Sequence, residues 1–169
     1  MHLTVEQRFD ASPTRVAAML ADTEFVRWRA RRSGGPTSVV EQVDVTGSPD
    51  AGFTVVVRRT LPTDQIPAHV RGFVGSQLEI RQAEAWEAAE GESRVGTVAL
   101  EIAGAPVRLT GTVVLVADGD GTLQRYTGEI KASVPLFGAA VEDAAATAIR
   151  ATLAAEESAG AEWLATHPQ

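Results

Sequence analysis

Hydrophobic and polar positions alternate from the first residues of the chain. Leu3, Val5, Gln7 and Phe9 oppose Thr4, Glu6 and Arg8, which is the period of a half-buried strand. Asp10 to Pro13 ends it. Ser12 followed by Pro13 predicts a helix start, with the hydroxyl as cap and proline where its missing N–H is harmless, and Val16, Met19 and Leu20 then share one side. Asp22 and Thr23 cap a second helix whose inward face is Phe25 and Trp28 and which stops at Ser33-Gly34-Gly35-Pro36. From Thr37 the period shortens to that of strands. Val39 to Val45 and Phe53 to Leu61 form a hairpin around Gly47 to Gly52, and Pro62 to Gln77 interrupts the series. There, Asp64 or Gln65 caps a short helix with Pro67 in its first turn, Ile66, Val70, Phe73 and Val74 on its apolar side, and Gly75 past its end. Four more strands follow, at Leu78 to Glu87, Arg94 to Ala103, Val107 to Ala117 and Leu123 to Val134. Their short, glycine-bearing connections predict antiparallel hairpins.

The last element is the longest. Ala139 to Thr166 holds no proline and one glycine, Gly160, and at about 100° per residue Val141, Ala145, Ala148, Ile149, Thr152, Glu156, Ala159 and Trp163 cluster on one side. The stripe is thin, built mostly of alanine. A sheet must bury its inner face on another element, and only this helix is long enough.

Composition narrows the function classes. The 169 residues suit one domain, and a formal charge of −7 argues against nucleic acid as partner, since such binding rests on clustered cations. The absence of cysteine excludes disulfides, thiol catalysis and cysteine-based zinc sites, and His2, His69 and His167 have no ligand-pair spacing, so no metal or cofactor is expected. No apolar run approaches a membrane span and the N-terminus lacks a signal pattern, which predicts a cytoplasmic protein without stable membrane insertion. Arg27, Arg29, Arg31 and Arg32 spread around a helix circumference and read as a solvated face. Asp118-Gly119-Asp120-Gly121 reads as a hairpin turn, without the helix-loop-helix frame of a calcium site.

Three stretches carry a resemblance. The first strand running into Ala11-Ser12-Pro13-Thr14-Arg15-Val16 and the run Val134-Pro135-Leu136-Phe137-Gly138 before the last helix are the first two. The third is Leu61-Pro62 through Phe73-Val74-Gly75, followed by Gln82-Ala83-Glu84-Ala85-Trp86. With the order of elements, they resemble the START-like or helix-grip superfamily, which includes polyketide cyclases and lipid-transfer proteins, and most closely a functionally uncharacterised branch of it. The resemblance spans essentially the whole chain. It implies an α+β fold in which a curved seven-stranded antiparallel sheet grips the C-terminal helix around a cavity for an apolar ligand.

Within that geometry, side-chain parity selects the lining. Leu78, Ile80, Gln82, Glu84 and Trp86 share an inward face, as do Val55, Val57, Arg59 and Leu61, and as do Tyr126, Ile130, Ala132 and Val134. Arg59 and Glu84 are expected either to face each other as a buried pair or to have one of them turned to solvent by a bulge. Glu156 either meets a ligand hydroxyl, a ligand amine or Arg59, or, as is commoner for such a residue, escapes to water. The hydroxyl of Tyr126 either orients a ligand or bonds a backbone carbonyl. The segment bearing Ile66, Val70 and Phe73 is either a lid or a fixed plug over one mouth. The expected ligand contacts are therefore Val57, Arg59, Leu61, Ile66, Val70, Phe73, Gln82, Glu84, Trp86, Tyr126 and Ile130, with Ala145, Ile149, Thr152 and Glu156 from the helix. The leading expectation is a carrier or sensor of a small hydrophobic molecule. A cyclase-like or aromatase-like enzyme and a closed-core interaction domain are the alternatives; acid–base work would have only Glu84, Arg59, Tyr126 and Glu156 to draw on, no histidine is expected inside, and no catalytic residue is assigned.

Overall fold

The computed structural model describes residues 1–66, 68–72 and 74–168, with the side chains of Gln65, His69 and Val70 outside that description. A first strand β1 (His2–Phe9) leads to helices α1 (Pro13–Leu20) and α2 (Thr23–Ser33) and a hairpin, β2 (Val39–Ser48) and β3 (Gly52–Pro62). A 3-10 turn (Thr63–Gln65) and the four-residue helix α3 (Ala68–Arg71) come next. Strands β4 (Gln77–Trp86), β5 (Arg94–Ala103), β6 (Val107–Asp118) and β7 (Gly121–Ala132) precede the 29-residue helix α4 (Gly138–Thr166). The strands form one seven-stranded sheet in the order β1-β7-β6-β5-β4-β3-β2, antiparallel throughout, with α4 on its inner face. This is the expected α+β helix-grip architecture.

Local chemistry accounts for the element ends. The Ser12 hydroxyl accepts from the Arg15 amide at 3.3 Å, and the Asp22 carboxylate accepts from the Glu24 and Phe25 amides at 2.7 and 3.3 Å, so both helices start on side-chain caps. The segment after β3 departs from expectation. In place of one helix over Ile66 to Val74 there are a 3-10 turn and a single helical turn, with Ile66 between them in extended conformation (φ −83°, ψ 139°). Ile66 precedes a proline, and the proline ring disfavours helical backbone at the residue before it. Pro67 and Phe73, assigned to that helix by pattern, lie outside the described residues.

Helix α4 also departs from the simple stripe. Val141 and Ala159 are buried as expected and Glu156 is buried as well, but the others that are fully buried are Ala146, Leu153, Gly160 and Leu164; Ala145, Ile149, Thr152 and Trp163 are half-buried and Ala148 is exposed. The reason is where the helix packs. Its main neighbours are α2, β1 and β7 rather than the middle of the sheet, so part of the expected stripe faces open space. Trp163 anchors the far end, its ring 5.4 Å from Phe25, 5.5 Å from Trp28 and stacked 3.9 Å from His167.

Gly160 permits that close approach. A Cβ there would lie 2.5 Å from Cε1 of the buried Phe9 ring and 3.4 Å from the Met19 methyl. Alanine is the better helix former by about 1 kcal/mol, yet overpacking a tight core costs about 1–3 kcal/mol. Gly160→Ala is therefore expected to lower the chemical-denaturation midpoint despite its gain in helix propensity. A midpoint at or above that of the parent would show that the Phe9 ring gives way freely.

Candidate functional site

Because α4 leans on α2, β1 and β7, its N-terminal half stands away from β3, β4 and β5. The space between is a cavity of about 770 Å³. Leu61, Leu78, Ile80, Val98, Leu100 and Ile102 form its sheet wall, and Val141, Ala144, Ala145, Ala148, Ile149 and Thr152 its helix wall. Ile66 and Val74, from the segment after β3, line it too. That segment is tied at its base by the Thr63 hydroxyl donating to the Ser76 carbonyl at 3.1 Å, and Arg71 donates to the carbonyls of Asp64 and Ile66 at 2.8 and 2.9 Å.

The apolar wall gives way to polar groups where α2 packs near the sheet. Ser33, Arg59, Gln82 and Tyr126 reach the cavity here. Behind them lies Glu84, 1% exposed, which accepts from Gln82 Nε2 at 3.0 Å, from Trp86 Nε1 at 3.1 Å and from the Tyr126 hydroxyl at 3.4 Å. Gln124 Nε2 in turn donates to the Tyr126 hydroxyl at 2.6 Å. The cation of this cluster is Arg29, which stands between two carboxylates, with Nη2 3.9 Å from Glu84 and Nη1 3.7 Å from Glu156. Arg59 Nη1 donates to the Ser33 hydroxyl at 3.1 Å, and Ser33 donates to Glu156 at 3.5 Å.

Burial and neighbours set the charge states. Burial works against the Arg29 charge, but Glu156 and then Glu84 outweigh it and raise its pKa above the ordinary arginine value. Arg59 is shifted the other way: burial lowers its pKa, with Arg29 adding to the effect and Glu156 opposing it. Burial, followed by Glu84, pushes the Tyr126 phenol well above its usual range, so it remains a proton donor.

Arg59, Leu61, Ile66, Gln82, Tyr126 and Ile130 line the cavity from the sheet side, and Ala145, Ile149 and Thr152 line it from α4. Val57, Glu84, Trp86 and Glu156 are buried but do not line it, because α2 packs over that end of the sheet and brings Arg29 between the carboxylates. The side chains of Val70 and Phe73 lie outside the described residues.

Three expectations are corrected. Arg59 does not pair with Glu84: the register sets Arg59 opposite Ile80 and Glu84 opposite Val55, an offset of four residues or about 13 Å along the strands. Glu156 does not escape to water; it is 4% exposed and drawn inward by Arg29. Arg29 is no part of a solvated face, although Arg27, Arg31 and Arg32 are exposed. The signal for it lay in helix spacing, since Arg29 follows Phe25 by four residues and Val26 by three, on the face that Phe25 already marks as buried. Tyr126, for its part, bonds side chains rather than a backbone carbonyl.

Among the described residues no group of three or more His, Cys, Asp or Glu side chains is placed to hold a metal ion, and no helix is long and apolar enough to cross a membrane.

A family model described as "Protein of unknown function (DUF2505)" matches residues 4–164. No curated protein matches the chain. Among solved structures the chain is similar to a protein of Thermus thermophilus, at 18% identity and a TM-score of 0.60, with 99% of this chain and 100% of that one covered. It is similar to the STAR-related lipid transfer protein (fragment 25–204) from Xanthomonas axonopodis, at 20% identity and a TM-score of 0.55 over 94% of this chain and 85% of that one. It is also similar to Ara h 8.0201, at 11% identity and a TM-score of 0.56, covering 99% of each. These likenesses show a shared START-like fold.

Proposed function

Since the chain belongs to the family described as protein of unknown function (DUF2505), a description that assigns no activity, we propose from its cavity that it is a binding protein for a small hydrophobic or lipid-like molecule. The observation that carries the reading is the space itself. About 770 Å³ with mainly aliphatic walls and a few convergent polar groups lies within the range of small-molecule sites, whereas protein interiors otherwise pack closely. A likeness to a protein described as a lipid transfer protein supports it. The reading is of a single-domain cytoplasmic carrier or sensor in an uncharacterised branch of the START-like superfamily. Tyr126 and Glu84 hold each other in a closed set of hydrogen bonds, an arrangement suited to a rigid floor more than to proton transfer.

The test is extraction. Protein purified without detergent, extracted with organic solvent and analysed by denaturing mass spectrometry, is expected to yield an apolar molecule near one equivalent. Stripped protein is expected to gain thermal stability when 1-dodecanol is added, because a ligand that binds only the native state raises it. An empty extract together with an unmoved melting temperature would overturn the reading.

A further inference from the structure

Two arginines lie in the buried polar cluster, and their situations differ. Arg29 is flanked by two carboxylates within 4 Å and does not line the cavity. Arg59 is 4% exposed and lines the cavity, but among the described residues its guanidinium makes one hydrogen bond, to a neutral serine, and no carboxylate lies within 4 Å of it. A guanidinium carries five N–H donors and retains its charge under nearly all conditions, so four donors have no acceptor among the described residues. Glu156 acts on Arg59 only from beyond 4 Å, and buried donors without an acceptor are costly.

We infer that the ligand carries a single carboxylate, which lies on Arg59 at the inner end of the cavity while its apolar body runs along Leu61, Ile80, Leu100 and Ile149. This rests on the reading of the cavity as a site for a hydrophobic molecule and specifies that molecule's class as a monoanionic amphiphile. Three features favour it. The planar guanidinium fork matches a carboxylate in bidentate fashion, and Gln82, two residues along the neighbouring strand on the same face and also lining the cavity, retains hydrogen-bonding capacity beyond the one N–H it gives to Glu84. The surrounding wall is aliphatic, which suits a chain or a ring body better than a polar metabolite. The charge count limits the head group: Arg29 and Arg59 already balance Glu84 and Glu156, so a monoanion adds one uncompensated charge and a phosphate dianion would add two next to the same carboxylates.

The experiment compares dodecanoic acid with 1-dodecanol, both below their aggregation thresholds, by calorimetric titration of the stripped full chain at neutral pH. The parent protein is expected to bind the acid at least about tenfold more tightly than the alcohol, as charge-assisted hydrogen bonds are about twice as strong as neutral ones. Arg59→Gln is expected to lose the preference, so that acid and alcohol bind it with similar affinity, and Arg59→Lys to retain part of it. Arg29 still pairs both glutamates in these variants, so they should fold, and a melting curve on each verifies this. Equal affinities in the parent, or a preference that survives in Arg59→Gln, would overturn the inference and leave the hydrophobic-binding reading standing. If neither probe binds the parent, both fall together.

Discussion

Arg29→Met is expected to cost the fold about 3–5 kcal/mol, the range for removing one partner of a buried ion pair. The methionine fills similar space, so the loss reports charge. Without Arg29, Glu84 and Glu156, at 1% and 4% exposure, have no cation within 4 Å; Arg59 acts on Glu156 only from farther off, and the hydrogen bonds from Gln82, Trp86, Tyr126 and Ser33 carry no counter-charge. Urea denaturation reads the effect as a drop in midpoint. A follow-up measurement separates charge from packing. Adding Glu84→Gln and Glu156→Gln to the variant should recover a large part of the loss, since the amides remove the stranded charges while keeping the shape. In the parent the pH dependence that Arg29 contributes has a fixed sign. Its pKa is raised in the folded state, so its contribution is fully present below the ordinary arginine value and is lost only at still more alkaline pH. A variant as stable as the parent at neutral pH would mean that the two glutamates reach solvent.

How much of this was legible beforehand follows from what each pattern encodes. The strands were plain because parity is a local property: Leu3, Val5, Gln7 and Phe9 already mark the inner face of β1, and the inward sets on β3, β4 and β7 are where alternation puts them. Even Gln82 and Glu84, polar residues on an inner face, could be placed by parity alone. Pairing was not legible, because it depends on register. Arg59 and Glu84 share a face and lie on neighbouring strands, but a four-residue offset separates them. The inward direction of Arg29 was encoded in its spacing from Phe25 and Val26, but its residue type argued for water. Glu156 was not legible from its own helix, because the cation that holds it inside sits on another one. The short helix after β3 failed for a different reason. Its apolar spacing was real, but the proline constraint at Ile66 outweighed it.

Ala145→Phe is expected to weaken binding of 1-dodecanol by at least about tenfold without unfolding the protein, and its neighbour Ala146→Phe to do the reverse. Ala145 is half-buried and lines the cavity; Ala146 is 7% exposed and does not line it. Successive residues on a helix point about 100° apart, so two substitutions of identical chemistry probe two different environments. At position 145 the ring extends into open space, where added apolar contact stabilises or is neutral for the fold and removes volume from the ligand. At position 146 it meets side chains already in contact, and overpacking costs about 1–3 kcal/mol while leaving the cavity wall in place. Melting temperature and calorimetric affinity, measured on both variants, give four numbers that must move in opposite senses. If Ala145→Phe destabilises as much as Ala146→Phe, both faces of α4 are packed and the alanines serve close approach. If only Ala146→Phe does so, the alanines at 144, 145 and 148 are there to leave room, and the thin stripe of this helix is a requirement of its ligand.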